Sequence, residues 1–234
     1  MEYTSTTHVL NAIPFEPDVQ ELQKRLHIRP GGSNAGELER LVTEACALAR
    51  PRALYRVAYI SGRGENWVEI EGKRFDSRVL RVNLEPAERV FAHLATCGPE
   101  LQAWAERMED MLLRFWAETI KEAALYCAVR ALEEDLELRY RPGKTAFMSP
   151  GSLEDWPIEQ QRVLFDLFEK SNEQIGVQLT DSMLMVPTKT VSGIRFPTEV
   201  NFASCQLCPR EDCPNRRAPY EPGLYQSRYQ INPA

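Results

Sequence analysis

The sequence predicts an α+β fold, because helical stretches and hairpin-connected strands occur in it without the regular alternation that builds a parallel sheet. Apolar residues over 99–138 recur at steps of three and four, the pattern of a helix that lies on a core. Segments 67–70 and 79–82 flank the turn-prone residues 71–74 and indicate a pair of strands. After residue 197 the sequence is proline-rich and carries a cluster of cysteines, which predicts an irregular, cysteine-rich C-terminal tail.

The other elements follow from the same patterns. Leu38, Leu41 and Ala45 fall on one face of a helix that follows the loop at 30–34. Segment 99–138 forms either one long helix or two in series, and 139–156 is a loop. Asp155 as N-cap and Pro157 in the first turn predict a further helix. Strands are predicted at 53–60, 89–96, 177–179, 183–186 and 191–196.

The composition is that of an ordinary globular chain and argues against several classes of protein. Hydrophobic residues make up 43% and charged residues 26% of the sequence, and the formal net charge is −6. Without a strong basic patch, this charge argues against nucleic acid as a partner. No apolar run approaches the roughly 20 residues that span a bilayer. Residues 1–11 lack the basic and apolar regions of a signal peptide, so we expect a cytoplasmic protein without a membrane partner.

Four segments carry a resemblance to a known family. They read ATCGPEL at 95–101, MSPG at 148–151 followed by DWPIEQQ at 155–161, IGVQLTDSMLMVP at 175–187, and KTVSG at 189–193. In this order and spacing, over residues 54–202, the sequence resembles the activation domain of vitamin B12-dependent methionine synthase. The specificity lies in the combined set, because Ser-Pro-Gly alone is uninformative. No phosphate-binding glycine loop or hydrolase motif competes with this interpretation.

The resemblance implies both an architecture and a role. The family has a curved single domain with a twisted antiparallel sheet and long helices, and here it would occupy residues 51–200. An N-terminal helical extension at 1–50 and the cysteine-cluster tail at 201–234 would flank it. The family docks on a cobalamin-binding protein or the methionine synthase core. It presents S-adenosylmethionine to cob(II)alamin, while a low-potential donor such as ferredoxin or flavodoxin supplies an electron.

The resemblance also implies a ligand site around the Ser-Pro-Gly turn. We expect the cofactor-binding residues there to be Ser149, Pro150, Gly151, Ser152, Arg141 and Phe202. Backbone groups of the turn would contact the ligand, since proline fixes the chain direction and glycine removes the Cβ that would obstruct it.

Two positions depart from the family pattern and count against S-adenosylmethionine binding. Phe147 stands where the family usually has an arginine that binds the ligand's carboxylate, and Tyr126 stands where it has an acid. The residues that could compensate are Arg139, Arg141 and Lys144 for the arginine, and Glu118 and Glu122 for the acid. Without compensation, a cobalamin reductase that dispenses with S-adenosylmethionine is the variant to expect.

Cys205, Cys208 and Cys213 crowd into nine positions and indicate a metal site, since clustered cysteines in a reducing compartment more often bind metal than form disulfides. An iron–sulfur cluster, of the 4Fe-4S type, is favoured over zinc because the implied chemistry is a one-electron reduction. Cys97 is the preferred fourth ligand and Cys127 is less suitable. Three cysteines around an open cluster, a zinc-stapled loop and a merely reduced loop remain open.

The leading hypothesis is an accessory redox protein that reactivates a corrinoid methyltransferase. The alternative is a non-catalytic module that docks on a corrinoid protein and holds a structural zinc. Two other features have simpler expectations. His93 in a strand is predicted to be a hydrogen-bonded core residue. Segment 183–185 is predicted to be core, although methionines also suit an adaptable apolar surface.

Overall fold

An antiparallel sheet forms the centre of the computed structural model, which describes residues 5–230. Within that range the sheet has seven strands: β1 (Thr6–Leu10), β2 (Arg52–Arg63), β3 (Trp67–Ile70), β4 (Lys73–Asp76), β5 (Arg89–Thr96), β6 (Thr145–Met148) and β9 (Thr190–Pro197). Between the last two strands in sequence, β7 (Gln178–Leu179) and β8 (Met185–Val186) form a separate hairpin. The order in the sheet is β4-β3-β2-β5-β9-β6, and β1 pairs with the edge of β2 that β3 also uses.

Six α-helices occur among the described residues: α1 (Val19–Arg25), α2 (Ala35–Leu48), α3 (Arg78–Asn83), α4 (Pro99–Glu106), α5 (Met111–Tyr140) and α6 (Gln161–Asp166). The predicted helical stretch 99–138 is thus two helices in series. Asp110 separates them, because its carboxylate accepts hydrogen bonds from the N–H groups of Leu112 and Leu113 and caps α5. Across residues 5–230, no helix combines the length and apolar character needed to cross a membrane.

Strand β5 is buried on both faces of the sheet. Val90 and Leu94 belong to the core on one face, with α3, α6 and part of the tail. Phe91 and Ala95 point to the other face, where α5 covers them. This alternation follows from the two-residue period of a strand. The central strand therefore sits between two apolar layers, which explains its nearly continuous apolar sequence.

Helix α5 supports two parts of the core. From its middle onward, Leu125, Leu132 and Leu136 pack on the face of the sheet that carries Phe91. In its first half, Trp116 and Ile120 pack against α2 and α4. The 30-residue helix thereby joins the N-terminal helices to the sheet. It is one wall of the cavity described below.

The segments that flank the predicted central domain pack closely on it. The N-terminal extension supplies α1 and α2 as expected, but residues 6–10 also form the sheet strand β1, which the sequence did not indicate. In the tail, Phe202 and Tyr229 are buried in the same core as Leu94. The division of the chain at residues 50 and 200 stays a prediction. Residues 1–4 of the N-terminal extension and 231–234 of the tail lie outside the described range.

The expected strand at 79–82 is wrong, because this segment belongs to α3. The partner of β3 is instead β4, immediately after a two-residue turn at Glu71 and Gly72. Both turn residues have positive φ, 49° and 73°, as a tight hairpin turn requires. The apolar residues Val79 and Leu80 were assigned to the strand because a short apolar run fits either a strand or a buried helix.

Asp155 caps a helix other than the one that the sequence assigned to it. Its carboxylate accepts hydrogen bonds from the backbone N–H groups of Arg78, at 3.3 Å, and Val79, at 2.9 Å, and from the hydroxyl of Ser77. Asp155 therefore accepts hydrogen bonds from the free N–H groups in the first turn of α3, although it lies at least 76 residues later in the sequence. Helix α6 begins later than expected, at Gln161, after a short 3-10 turn.

Replacement of Asp155 by alanine is predicted to lower the free energy of unfolding by about 1–2 kcal/mol, the usual cost of losing a helix cap. The reason is that two N–H groups of α3 lose their acceptor. Urea denaturation of Asp155→Ala and of the neighbouring, exposed Glu154→Ala measures the difference. Equal midpoints for the two variants would show that the long-range cap contributes nothing.

Candidate functional site

A cavity of about 540 Å³ lies between the sheet, α5 and the loops that follow β6 and β8. This volume is within the range of small-molecule sites. Its lining is mainly apolar, from Leu125, Val129, Leu132, Ile158, Met183, Leu184, Met185 and Val191. A few polar groups are placed among these side chains, from His93, Ser149, Gln161, Thr190, Ser192, Glu133, Arg195 and Arg217. An apolar cavity with a few convergent polar groups is the usual form of a ligand site.

All four segments that carried the family resemblance contribute to this cavity. The first gives Ala95, the second gives the Ser149-Pro150 turn, the third gives 183–185, and the fourth gives 190–192. The expectation that residues 183–185 are core is wrong for Leu184, which is 52% exposed and lines the cavity, whereas Met185 packs partly against the core. The four motifs are far apart in sequence, and the fold brings them to one place.

The Ser-Pro-Gly turn is held by its own hydrogen bonds. The Ser149 hydroxyl donates to the carbonyl of Ser192 at 2.6 Å, which ties the turn to β9. The Ser152 N–H and hydroxyl both donate to the Ser149 carbonyl. Gly151 has a φ of 77°, and a Cβ there would lie 2.7 Å from the Ile158 side chain. Ser149 and Pro150 line the cavity, whereas Gly151 and Ser152 shape the turn.

Gly193 allows the turn to approach the sheet. A Cβ at this position would lie 2.5 Å from the Met148 carbonyl oxygen and 2.9 Å from the Ser149 hydroxyl. Contacts this short do not occur with a real Cβ, so β6 and the Ser149 turn depend on glycine in the neighbouring strand. The KTVSG motif at 189–193 thus has a steric reason for its last residue.

His93 contributes a neutral, buried imidazole to the cavity wall. Burial, assisted by the charge of Arg195, lowers the pKa of His93 to about 3. Its Nδ1 lies 3.5 Å from the Phe91 carbonyl, and its ring is edge-on to Phe147. The expectation of a hydrogen-bonded core histidine is confirmed. At neutral pH the ring adds polarity to the cavity but no charge.

Phe147 lies beneath two guanidinium groups at the edge of the cavity. The Arg217 guanidinium carbon is 4.1 Å from the centre of its ring and that of Arg195 is 5.3 Å away. Arg195 pairs with Glu133 and donates to the Thr145 hydroxyl at 3.0 Å. Phe147, where the resemblance implies an arginine, is thus an aromatic ring with two arginines stacked on it, a favourable cation–π arrangement.

Two of the predicted ligand residues lie elsewhere. Arg141 ends α5 in the left-handed conformation, with φ 43° and ψ 54°, and its side chain is exposed. Phe202 is buried in the core, with its ring 6.5 Å from that of Tyr229. Neither lines the cavity. Arg141 was placed there on sequence proximity to Phe147, but the end of a helix separates the two side chains.

The residues expected to compensate for Phe147 and Tyr126 have other partners. Arg139 pairs with Asp135 on α5, and Lys144 donates to the carbonyl of Glu199. For the acid, Glu118 pairs with the buried Lys121. Glu122 accepts a hydrogen bond from the Tyr126 hydroxyl at 2.9 Å and pairs with Arg25.

Sequence reasoning missed Arg195 and Arg217. Arg195 lies beside Phe147 because β6 pairs with β9 in the register Phe147↔Arg195. Segment 139–156 was taken as a loop, so this pairing was not considered, although the alternation of residues 145–148 was a usable signal. Arg217 comes from the tail, and nothing in the sequence indicates its position over Phe147.

The structure does not bring Cys97 together with the tail cysteines. Cys97 follows β5, and it is buried among α2, α4 and α5. Burial raises the pKa of its thiol to about 12. Its strand neighbour Thr96 pairs with Thr190, whereas the tail contacts the other end of β9, near Arg195. Five residues of strand separate these ends by about 17 Å.

The three tail cysteines lie in a half-buried loop that is organised by an arginine. The Arg216 guanidinium donates to the carbonyls of Cys205 at 3.1 Å, Cys208 at 3.0 Å and Ala218 at 2.9 Å. In the part of the chain that is described, no three histidine, cysteine or acidic side chains are arranged to hold a metal ion. The cysteines therefore do not fit the expected cluster, because shared metal ligation needs converging thiolates.

Cys205 nevertheless has an unusual environment. Burial opposes ionisation of its thiol, but hydrogen bonds from the backbone N–H groups of Arg217 and Ala218, together with the charge and the side-chain hydrogen bond of Arg217, lower the pKa below the ordinary value. The N–H of Arg217 lies 3.4 Å from the Cys205 sulfur. This contact links the cysteine loop directly to the arginine that stacks on Phe147.

Comparisons with known proteins agree with the fold and with the motifs. Residues 101–211 match the family described as vitamin B12 dependent methionine synthase, activation domain. A solved structure, described as the MetH reactivation domain bound to AdoHcy, is similar with a TM-score of 0.58. It is 15% identical in sequence, and the similarity covers 86% of this chain and 82% of that one. No curated protein matches the chain.

These findings confirm the resemblance that the motifs indicated, together with the α+β fold and its antiparallel sheet. The family match begins in α4 and ends at residue 211, so it includes Cys205 and Cys208 but not Cys213. It also contains Phe147 and Tyr126.

His93 is predicted to make the protein less stable in mild acid. Its folded pKa, about 3, is far below the ordinary 6.5, so as pH falls through 6.5 the unfolded chain takes up a proton that the folded chain refuses. Between pH 6.5 and 4.5 wild type should lose about 2 kcal/mol more stability than His93→Gln. Urea denaturation at both pH values measures this. The exposed His27→Gln is the control, and a parallel loss in all three proteins would contradict the assignment.

Proposed function

From the family to which residues 101–211 belong, we propose that this protein takes part in the reductive reactivation of cob(II)alamin in a corrinoid-dependent methyltransferase such as methionine synthase. The observation that carries the proposal is the convergence of four separate motifs on one apolar cavity. The similar solved structure is described as bound to AdoHcy, the demethylated form of S-adenosylmethionine. The cavity is therefore proposed as the site of S-adenosylmethionine.

The reaction has a simple balance. One electron from a low-potential donor and one methyl group from S-adenosylmethionine convert the inactive cob(II)alamin of the partner into methylcobalamin, with S-adenosylhomocysteine as the second product. The chain itself supplies binding and orientation, because the cofactor carries the methyl-transfer chemistry. The partner is a cobalamin-binding protein or the methionine synthase core, and the electron donor is of the ferredoxin or flavodoxin class.

The cavity residues suit this role. The Ser149 turn offers backbone groups at the cavity wall, and its position is fixed by Ser192. Met183, Leu184 and Met185 provide an adaptable apolar surface for a nucleoside. The apolar wall also limits contact between water and a ligand that carries a reactive sulfonium, which favours transfer to cobalt over hydrolysis.

In this function the tail cysteines do not relay the electron. The iron–sulfur cluster expected from Cys205, Cys208 and Cys213 has no supporting arrangement among the described residues, and the same holds for the alternative of zinc. The electron is therefore proposed to pass from the external donor to the corrinoid without a metal centre in this chain. Arg216 instead holds the backbone of this loop through the carbonyls of Cys205 and Cys208.

Phe147 and Tyr126 favour a second candidate, a module that docks on the corrinoid protein without using S-adenosylmethionine. The family arginine and acid are both replaced at these positions, which removes the usual charges around the ligand. Such a module would bind the corrinoid protein and leave the yield of methylcobalamin unchanged.

The test is single-turnover conversion of cob(II)alamin to methylcobalamin on a corrinoid partner that lacks its own activation domain, with titanium(III) citrate as donor. We expect conversion to require both this protein and S-adenosylmethionine. Val129→Trp, which fills the cavity from α5, should lower the rate about tenfold or more, since loss of 1.4 kcal/mol of binding is tenfold. The neighbouring Arg130→Trp faces solvent and should react as wild type.

Two results would contradict this function. Acceleration by this protein of cob(II)alamin reduction to cob(I)alamin, without S-adenosylmethionine and without methylcobalamin as product, would favour a plain reductase. Co-elution of the two proteins without any acceleration would favour the docking module. Equal rates for Val129→Trp and Arg130→Trp would move the ligand site away from the cavity.

The protein is predicted to carry no stoichiometric metal. Because Arg216 organises the cysteine loop, protein purified without oxygen is expected to contain substoichiometric iron and zinc, and Cys208→Ser should reactivate the corrinoid as wild type does. Elemental and sulfide analysis, with absorption near 400 nm, measures it. Stoichiometric iron with sulfide, lost in Cys208→Ser, would restore the cluster hypothesis.

A further inference from the structure

The tail brings a charged side chain to the cavity. Arg217 lines the cavity and stacks on Phe147, although it lies some 70 residues later in the sequence. The tail segment that bears it is tied down on both sides, by the buried side chains of Phe202 and Tyr229. The Tyr229 hydroxyl donates to Asn83 at 3.1 Å, and its carbonyl accepts from Arg78 at 3.0 Å.

The position of Arg217 is fixed locally as well. The preceding residue, Arg216, holds the carbonyls of Cys205 and Cys208. The N–H of Arg217 itself contacts the Cys205 sulfur at 3.4 Å. Two adjacent arginines thus divide two tasks, since one orders the loop and the other faces the cavity.

The charge at this edge of the cavity is incompletely balanced. Arg195 is paired with Glu133, and its side chain is only 11% exposed. Its Nε has no hydrogen-bond partner. Among the described residues no carboxylate forms an ion pair with Arg217, which is exposed and whose side chain also hydrogen-bonds the Cys205 thiol. Two guanidinium groups against one carboxylate leave a net positive charge beside an apolar cavity, and this attracts an anionic group.

The geometry points to Arg217 as the group that binds the carboxylate of the ligand's amino-acid end, with Glu133 taking the α-ammonium group. Both residues line the cavity, and both belong to the cluster around Phe147 and Arg195. Guanidinium–carboxylate pairs are among the strongest hydrogen bonds in proteins. The tail would then be part of the binding site and would supply the charge that Phe147 lacks. This inference rests on the proposed function and adds the residue that selects an amino-acid-bearing nucleoside.

Two ligands that differ only in this end provide the test. S-adenosylhomocysteine carries the amino-acid group, and 5′-methylthioadenosine has the same nucleoside and sulfur without it. Calorimetric titration should show that Arg217→Gln raises the Kd for S-adenosylhomocysteine about tenfold or more, the effect of losing one charge-assisted hydrogen bond. The Kd for 5′-methylthioadenosine should stay within about twofold. Arg210→Gln, an exposed arginine of the same tail, should change neither Kd.

Each other outcome is decisive. An equal loss for both ligands in Arg217→Gln, or no loss for either, overturns the carboxylate role. Wild type that binds 5′-methylthioadenosine as tightly as S-adenosylhomocysteine overturns it too. Wild type that binds neither ligand contradicts the proposed function itself, and with it this inference.

Discussion

The close approach of β6 to β9 at Gly193 is the constraint on which the site depends. Because this residue has no side chain, the Met148 carbonyl and the Ser149 hydroxyl can lie where a Cβ would otherwise be. The resulting register sets Phe147 beside Arg195 and places the Ser149 turn at the cavity wall. The positions of the Ser149 turn, Phe147 and Arg195 therefore all depend on the absence of a side chain at Gly193.

The electrostatics of the cavity follow from its burial. His93 is kept neutral, so the charges at the cavity edge come from Glu133, Arg195 and Arg217. Arg195 and Arg217 both stack on Phe147, whose ring face attracts the two cations. Phe147, where the resemblance implies an arginine, thus has two cations from other elements nearby in space.

Much of the fold could be predicted from local patterns, whereas the site depended on contacts between distant residues. The long strands at 53–60, 89–96 and 191–196 were found because their apolar runs are strong and bounded by turns. Segment 79–82 was assigned wrongly because four apolar-rich residues do not reveal their period. Asp155 caps a helix that is remote in sequence, and Arg217 reaches Phe147 through the packing of the tail. Cysteine spacing predicted a metal, but spacing alone does not orient thiols.

The anchoring of the tail has a consequence for how such a site can change over evolutionary time. Segment 203–228 meets the sheet core through Phe202 on one side and Tyr229 on the other, and it carries Arg217 between them. Substitutions within it can alter the charge presented to the cavity while the strands, their register and Gly193 stay as they are. The charge at the cavity edge and the stability of the scaffold are thereby encoded in separate stretches of the chain, so one can change while the other is kept.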